Sequence, residues 1–437
     1  MSYGIKEILR MEVAPSLGCT EPSAIALAAA AASSLLPDRK FDSIEIWVDP
    51  NIYKNAFAVS IPGAEGQSGL DLAAAMGALG GDPTLKLEVL DTVTESVLKE
   101  AKKLVGTGAV RVNLLENQTG LYVRTLLRSH QDEAQCTIED VHDNITGLTL
   151  NGSEVGDSPL TGQISDDRNN LLDLENWLKK ISLQNLLSLV DDLDDDDLQF
   201  LKKGIDYNLR LADFGMAHGP GLGIGLGLEE LVEEGLLKKD MILAARILTS
   251  AASDARMSGA KLPAMSSGGS GNHGLTAILP IVAVRDYVDE EKASRALQAV
   301  AVSHLVTAYI KAQTGRLSAV CGCSVAAGAG AAAGVTFLMG GDAHHIAGAI
   351  KNIVGDLAGV ICDGAKDSCA MKLATAAGGA VQAALFSLHG IKVQSTDGII
   401  GTSPEKTMEN VGTLSTQGMI ETDRTIIRIM LDKQFEV

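Results

Sequence analysis

The sequence predicts an α+β protein of two domains, an N-terminal α/β domain with a mixed or antiparallel sheet and a C-terminal all-helical domain. Segments that alternate apolar and polar residues, as half-buried strands do, are concentrated before residue 165. Beyond residue 170 this alternation ends, and helical segments rich in alanine and glycine follow. Aromatic residues are only 3% of the chain while glycine numbers 46, so the cores must consist of small aliphatic side chains. We therefore assign residues 1–170 to the α/β domain and 171–437 to the helical domain, with a protease-sensitive boundary expected at 160–170.

The α/β domain begins with two helices separated by a break. Helical periodicity covers residues 5–36 and is interrupted at "PSLGCTEP". Thr20 is the expected cap of the second helix, with Pro22 in its first turn. The pattern then predicts, in order, strands at 41–50 and 56–62, helices at 69–81 and 92–108, and four strands between 109 and about 160.

Three stretches of the helical domain could suggest other functions, and each has a simpler interpretation. The run Asp194–Asp197 is expected at a solvated helix N-terminus rather than around a metal. The segment "GPGLGIGLG" at 219–227 lacks the register and the preceding strand of a phosphate loop, so we interpret it as a turn into a helix. The uncharged stretch 319–341 is long enough to span a membrane, but alanine and glycine contribute little transfer energy, which favours a buried helix.

Charge and cysteine content restrict the partners and the compartment. The net charge of -19 argues against nucleic acid and against an anionic membrane, since both attract a basic face. The N-terminus lacks a charged lead followed by an apolar core, so we expect no signal peptide. Six cysteines in 437 residues are too few for a disulfide framework and fit a cytoplasmic protein whose thiols are free, catalytic or metal-bound.

Four of the six cysteines lie late in the chain and form the first candidate site. Cys362 and Cys369 are seven residues apart, and a break in the helix at Gly364 would draw their sulfurs together. Cys321 and Cys323, at i and i+2 of a helix, would point to different sides, so only one of them is expected to join that site. From spacing alone these residues are either small buried side chains or ligands of zinc or of an iron–sulfur cluster with one open position.

Cys19 and the turn "SSGGSGNHG" at 266–274 are the other candidates. Cys19 directly precedes a helix, whose N–H groups and dipole would stabilise a thiolate; a structural cysteine is the alternative. In the turn, glycines beside Ser270, Asn272 and His273 expose backbone donors ahead of an apolar helix, which predicts a cradle for a carboxylate. A flexible linker is the alternative there, and His273 is open to roles as metal ligand, base or turn cap.

Six segments resemble a known family. They read "APSLGCTEPSAIALA", "VDPNIYKNAFAVSIPG", "TSAASDARMSGAKLPAMSSGGSGNHG", "RLSAVC", "GVICDGAKDSCAMK" and "TDRTIIRIM", and they run along nearly the whole chain. With them the chain resembles the L-cysteine desulfidase family, which is related to the iron–sulfur L-serine dehydratases. The resemblance implies an α/β domain like the serine dehydratase beta part, a helical domain like the alpha part, and a 4Fe–4S cluster.

The resemblance also implies the site residues. It places the cluster on Cys321, Cys362 and Cys369, leaves Cys323 as a bystander, and makes Cys19 the reactive cysteine. We expect substrate contacts within the matching segments from Asn51, Lys54, Ser270, Asn272 and His273.

The expected function is β-elimination of L-cysteine to pyruvate, ammonia and sulfide, by a lyase that uses no pyridoxal phosphate. The iron left open by three thiolates would act as a Lewis acid on the leaving sulfur, while Cys19 removes the α-proton. An L-serine dehydratase with the same machinery, a zinc hydrolase and a non-enzymatic iron or redox sensor are the alternatives. The expected partner is a small amino acid, with no nucleic acid and no membrane, and a homodimer is one candidate assembly.

Overall fold

The computed structural model describes residues 2–118, 120–156, 158–161, 164–315 and 318–434, with the backbone alone at 164–169 and 434. Its helices are α1 (Ile5–Glu12), α2 (Thr20–Ser33), α3 (Pro50–Ala56), α4 (Leu70–Gly80), α5 (Glu95–Gly106), α6 (Ile164–Leu178), α7 (Leu183–Ser188), α8 (Asp195–His218), α9 (Ile224–Glu233), α10 (Met241–Met257), α11 (Gly271–Arg285), α12 (Glu290–Ala293), α13 (Ala296–Thr314), α14 (Gly328–Leu338), α15 (Ala343–Leu357), α16 (Cys369–Leu388), α17 (Pro404–Thr413) and α18 (Ile420–Gln434). Its strands are β1 (Pro15–Leu17), β2 (Ser43–Val48), β3 (Val110–Leu114), β4 (Tyr122–Arg128), β5 (Glu133–Glu139), β6 (Ile145–Leu150), β7 (Ser153–Glu154) and β8 (Pro263–Met265).

A six-stranded mixed sheet of order β3-β2-β4-β5-β6-β7 forms the N-terminal α/β part. β2 pairs in parallel with β3 and antiparallel with β4. Every second residue of β2, namely Ile44, Ile46 and Val48, is fully buried, as the alternating pattern predicts. The alanine-rich α2 packs between this sheet and α4. The two helices approach so closely that a Cβ on Gly77 of α4 would lie 2.2 Å from the carbonyl oxygen of Ala26.

The rest of the chain is largely helical and forms a second core in which α10, α11, α13, α14 and α16 pack together. Small residues set the spacing here too, since a Cβ on Gly215 of α8 would lie 2.0 Å from the carbonyl oxygen of Ala251. The uncharged stretch forms a π-helical turn, Cys323–Ala327, that continues into α14, and both are buried in this core. Among the described residues, α16 is the one helix long and apolar enough to span a bilayer, and 56% of its apolar window is buried within the protein. That burial is typical of a core helix.

Both ends of the chain cross between the two cores. α1 places Ile5, Ile8 and Leu9 in the helical core, and β1 pairs antiparallel with β8, a short strand that the sequence did not predict. At the other end, α18 contacts α3 of the α/β part. The division into 1–170 and 171–437 therefore stays a prediction, and part of the expected protease-sensitive segment lies outside the described residues. The crossing termini tie the two parts together around the region described next.

One predicted element is wrong and another prediction is confirmed. The strand predicted at 56–62 is a loop, in which Val59 and Ile61 are fully buried. Val59 packs between the two parts with Met257, whereas Ile61 belongs to the α/β core, so their alternation reflects burial and not strand pairing. The acidic run is a helix N-terminus as predicted, since the Asp194 carboxylate caps α8 and accepts a hydrogen bond from the Asp197 N–H at 2.9 Å.

Candidate active site

Two irregular segments bring Cys321 and Cys362 together. An isolated antiparallel bridge joins the segments one residue before each cysteine. The Cys321 N–H donates to the Val360 carbonyl oxygen at 2.9 Å, and the Cys362 N–H donates to the Ala319 carbonyl oxygen at 2.7 Å. Burial is the main cause of a raised pKa at Cys362, and a charge on Cys321 adds to it, so the two thiols are close enough to interact. Of the motif "RLSAVC", Arg316 and Leu317 lie outside the described residues.

Cys369 reaches the same place because the chain turns at Gly364. Residues 362–368 are not helical, and α16 begins at Cys369 itself, which confirms the predicted break. Gly364 has a φ of +95°, and a Cβ there would lie 2.2 Å from the carbonyl oxygen of Lys54 in α3. Only a glycine allows the cysteine loop to dock this closely on the α/β part. Burial raises the pKa of Cys369 to about 11, and charges on two neighbouring thiols contribute to the increase.

Cys323 lies closer to the other thiols than the i, i+2 spacing of a helix predicts. Its thiol donates a hydrogen bond to the Cys321 sulfur, which lowers the pKa of Cys321 to about 5 and raises the pKa of Cys323. The prediction is wrong because Cys321 and Gly322 precede the π-helical turn, so the i, i+2 geometry of a helix does not apply to the pair. Charges on Cys369 and Cys362 also act on Cys323. All four late cysteines therefore share one site.

Three lysines, Lys54, Lys366 and Lys372, surround these thiols. The charge of Lys54 opposes the effect of burial on the pKa of Cys362. Lys366 and Lys372 both pair with Asp363 at 2.5 Å. Burial alone would raise the pKa of the Asp363 carboxyl, but the two lysines outweigh this effect and lower the pKa to about 2. The excess of positive charge favours thiolates, or another anionic group, in their midst.

The donor set fits an iron–sulfur cluster better than a single metal ion. Among the described side chains, no three His, Cys, Asp or Glu groups are arranged as ligands of one ion. Sulfur ligands from two segments, with lysines around them, provide what an anionic cluster of several iron atoms needs.

Cys19 lies where the α/β part meets the cysteine site. It is the N-cap of α2, a place the sequence analysis had assigned to Thr20. Its side chain is buried with Val59 and Met257, and Cys369 packs against this group. The predicted low pKa is wrong for this structure, because burial raises the pKa of the Cys19 thiol well above its usual value and the nearby Glu21 charge adds to the effect. Burial disfavours the thiolate more than the helix N-terminus favours it.

Glu21 and His142 are site residues that the sequence analysis missed. The Cys19 thiol donates to Glu21 Oε2 at 2.8 Å, and His142 Nε2 lies 3.7 Å from Glu21 Oε1. Burial alone would raise the pKa of the Glu21 carboxyl, but His142 and Cys19 outweigh it and lower the pKa to about 2. A carboxylate two residues after a cysteine, in the first helical turn, was a readable signal for Glu21. His142 comes from the loop between β5 and β6 and left no such signal.

The turn before α11 lies against the Cys321–Cys323 segment. His273 is buried, and its Nδ1 lies 3.2 Å from the Ser267 carbonyl oxygen, a geometry in which a protonated Nδ1 donates. A Cβ on Gly322 would lie 2.4 Å from His273 Nε2, so the ring packs directly on the chain between the two cysteines. Burial lowers the pKa of His273 to about 3, and the ring is therefore neutral at pH 7. Ser270, the half-buried N-cap of α11, makes no capping hydrogen bond with its side chain.

Arg256 of α10 ties the Cys19 segment to this turn. Its guanidinium donates to the Gly18 carbonyl oxygen at 2.6 Å and to Asn272 Oδ1 at 3.0 Å. The side chain is buried and its Nε atom has no hydrogen-bond partner. Gly18 and Arg256 are 238 residues apart, so no local pattern could have indicated the contact. Arg256 is the third site residue that the sequence analysis missed.

Asn51 and Lys54 lie on α3, at the α/β side of the site. They are three residues apart and so share one face of the helix. The Oδ1 atom of Asn51 is buried and has no hydrogen-bond partner, which leaves it available as an acceptor. Lys54 is fully buried and donates to Asp423 Oδ1 of α18 at 2.6 Å. Of the two residues predicted here, Asn51 offers an open contact, whereas Lys54 is held by the C-terminal helix.

Known proteins match this chain along most of its length. A family model described as serine dehydratase alpha chain matches residues 84–428. A UPF0597 protein of Desulfatibacillum aliphaticivorans is 58% identical over 437 residues, which are 100% of this chain and 99% of the relative. A UPF0597 protein of Desulfotalea psychrophila is 56% identical over 434 residues, 99% of each chain. A UPF0597 protein of Clostridioides difficile is 42% identical over 426 residues, 98% of this chain and 99% of the relative. The chain therefore belongs to the serine dehydratase alpha chain family.

Proposed function

We propose that this protein is a lyase that eliminates the β-substituent of a small amino acid, with L-cysteine as its preferred substrate. Elimination from L-cysteine releases sulfide and leaves aminoacrylate, which water hydrolyses to pyruvate and ammonia. The observation that carries the proposal is the packing of Cys369 against Cys19, which joins a buried acid–base group to the cysteine site. β-Elimination needs both, a group that takes the α-proton and a place for the leaving atom. Membership of the serine dehydratase alpha chain family supports the same type of reaction.

We further propose that Cys321, Cys362 and Cys369 hold a 4Fe–4S cluster in a cytoplasmic protein. Their interacting thiols and the lysines around them support this assignment. When bound, such a cluster supplies an iron without a protein ligand, a Lewis acid for the leaving atom of the substrate. Cys323 would support the set through its hydrogen bond to the Cys321 sulfur. The proposed chemistry does not use pyridoxal phosphate.

Removal of the α-proton is assigned to Cys19 and Glu21 together. Burial and the Glu21 charge raise the pKa of the Cys19 thiol and so favour its protonated form, which donates a hydrogen bond to the Glu21 carboxylate. The pKa of Glu21 lies far below that of Cys19, so passage of the proton to Glu21 produces only a small population of thiolate, and this thiolate takes the α-proton of the substrate. The positive charge of Arg256 acts against burial and against the Glu21 charge, and so favours the thiolate. Burial of Cys19 keeps bulk water away from both transfers.

The substrate would lie between α3 and the turn before α11. The buried Oδ1 of Asn51 can accept a hydrogen bond from the amino group. The N-terminus of α11, with Ser270 and Asn272, suits the carboxylate because its backbone N–H groups and dipole attract anions. Lys54 would contact the substrate from the same face of α3 as Asn51, where Asp423 now holds its ammonium group.

Leaving-group chemistry favours L-cysteine over L-serine. A thiolate leaves readily, since its conjugate acid has a pKa of about 8.5. A serine hydroxyl leaves nearly as hydroxide, whose conjugate acid has a pKa of about 15.7, so it needs a proton donor. L-Serine is nevertheless the second candidate substrate, because the matching family is described as serine dehydratase.

The test is turnover after anaerobic reconstitution with iron and sulfide. Pyruvate release would be measured with a panel of amino acids that includes L-cysteine, L-serine and L-alanine, which has no leaving group. We expect a higher kcat/KM for L-cysteine than for L-serine and no pyruvate from L-alanine. A kcat/KM for L-serine equal to or above that for L-cysteine would overturn the substrate preference and leave the lyase in place. No pyruvate from any amino acid, in protein with a full complement of iron, would overturn the function itself.

A further inference from the structure

The guanidinium of Arg256 is a buried positive charge that lacks a carboxylate partner among the described residues. Its side chain is 2% exposed. Both of its hydrogen bonds go to neutral oxygens, the Gly18 carbonyl and Asn272 Oδ1, and Nε has no partner at all. A buried charge is costly unless an opposite charge compensates it. The arrangement is therefore incomplete without an anion.

The surroundings of Arg256 contain a second feature that attracts anions. The guanidinium packs against Gly271, where a Cβ would lie 2.4 Å from Nε, and Gly271 is the first residue of the 15-residue helix α11. A helix N-terminus of this length presents N–H groups and the positive end of the dipole. On the other side, Gly18 directly precedes Cys19 in the chain. An anion bound here lies next to the proposed acid–base group.

We infer that Arg256 binds the α-carboxylate of the substrate and so selects 2-amino acids with a free carboxyl group. The inference rests on the proposed function for the identity of the ligand. A carboxylate suits the site in charge, because each Nη atom donates one hydrogen bond to Gly18 or Asn272 and keeps a second N–H for an anionic oxygen. The hydrogen bonds to Gly18 and Asn272 hold the guanidinium in place before the substrate arrives. Gly271 is required because any side chain there would occupy the space of the guanidinium.

The experiment measures the preference of the reconstituted protein for L-alanine over L-alaninamide by calorimetry under anaerobic conditions. Both probes lack a leaving group and stay intact, and they differ in the carboxylate alone. We expect wild type to bind L-alanine more tightly by roughly 10–100-fold, the range for hydrogen bonds to charged groups. In Arg256→Gln this preference should fall to about 3-fold or less, and Arg256→Lys should recover part of it because it keeps the charge without the planar fork.

Arg246→Gln is the matched control. Arg246 lies on the same helix, its Nε is also buried without a partner, and it packs against Gly378 of α16. Its replacement should leave the preference for L-alanine unchanged. A purely structural role for Arg256 would weaken the binding of both probes equally and leave the preference at the wild-type value, which would overturn the inference.

The outcomes also separate this inference from the proposed function. Wild-type protein that binds both probes equally overturns the inference without any variant, even if Arg256→Gln does not fold. If binding depends on the carboxylate and on Arg256 but the protein releases no pyruvate, the inference stands and the proposed function is overturned. Normal turnover with an unchanged KM for L-cysteine in Arg256→Gln overturns the inference alone.

Discussion

The α/β side and the helical side of the site are built by different means. The α/β side presents its groups from the first turns of short or alanine-rich helices, with Cys19 as the cap of α2 and Asn51 in the first turn of α3. The helical side presents its thiols from irregular chain, a bridge and a loop that end where a helix starts. Regular helix ends fix hydrogen-bonding groups, whereas irregular segments can bring distant thiols together.

Because the two sides are built differently, metal binding and proton transfer can be measured separately. Metal binding should depend on the helical side and proton transfer on the α/β side, although Cys19 packs against Cys369. Variants on one side should therefore spare the property of the other side. Replacements of single residues on each side test that separation.

Cys321→Ala should abolish both iron binding and turnover. It removes the sulfur that receives the hydrogen bond from Cys323 and that interacts with Cys362. Iron and acid-labile sulfide per chain, counted after anaerobic reconstitution, should fall to background, and pyruvate release should become undetectable. Cys323→Ala is the matched control two residues away and should keep its iron. A control that lost iron as completely as Cys321→Ala would make Cys323 a ligand.

Cys19→Ala should keep its iron and lose turnover by roughly 10²–10⁴-fold, the usual contribution of a positioned acid–base group. The same samples serve for the iron count and for pyruvate release. Cys136→Ala is the control, because Cys136 is also a fully buried thiol but lies on β5 in the sheet core. Normal turnover by Cys19→Ala would move the acid–base role elsewhere, with Lys54 and His273 the next candidates.

Glu21→Gln should lower kcat by about 10²-fold, at the low end of the range for such groups. A neutral amide still accepts the hydrogen bond from Cys19 but cannot take the proton. The iron content should match wild type, so that the loss of kcat reports on proton transfer alone. Unchanged kcat in Glu21→Gln would mean that the Cys19 proton leaves by another route.

His304 should make the protein less stable in acid. Burial lowers the pKa of His304 from 6.5 to about 3, so below pH 6.5 the unfolded chain binds a proton that the folded chain does not. Stability is complete above pH 6.5 and falls as the pH decreases, by roughly 2 kcal/mol at pH 5 for this one group. The free energy of unfolding, measured with urea, should decrease between pH 7 and pH 5 in wild type. In His304→Asn this decrease should be smaller by that amount. The exposed His344 provides the control, and an equal change in its asparagine variant would show that burial of His304 is not the cause.

The sequence allowed the fold to be predicted, and it failed where contacts are long-range or backbone geometry is irregular. The break near Gly364 and the position of Cys19 at a helix start follow from local patterns, and the structure contains both. Cys323 was misjudged because the prediction assumed a regular helix where the chain is still a turn. Arg256 contacts a residue 238 positions away, which a single sequence does not reveal.

The predicted low pKa of Cys19 failed for a different reason. The sequence indicated the helix N-terminus but not the burial of the thiol with Val59 and Met257, nor its hydrogen bond to Glu21. Burial has the larger effect on the thiolate, and it depends on how the two parts of the molecule pack. A cysteine at the start of a predicted helix therefore indicates where the thiol lies in the fold. Whether its sulfur is charged depends on tertiary packing.

The most direct test of the account is to measure iron content and pyruvate release from L-cysteine on the same anaerobically reconstituted samples of wild type, Cys321→Ala and Cys19→Ala. We expect iron with turnover in wild type, neither in Cys321→Ala, and iron without turnover in Cys19→Ala. Turnover by Cys321→Ala without iron, or loss of iron from Cys19→Ala, would contradict the division of one site between the two parts of the molecule.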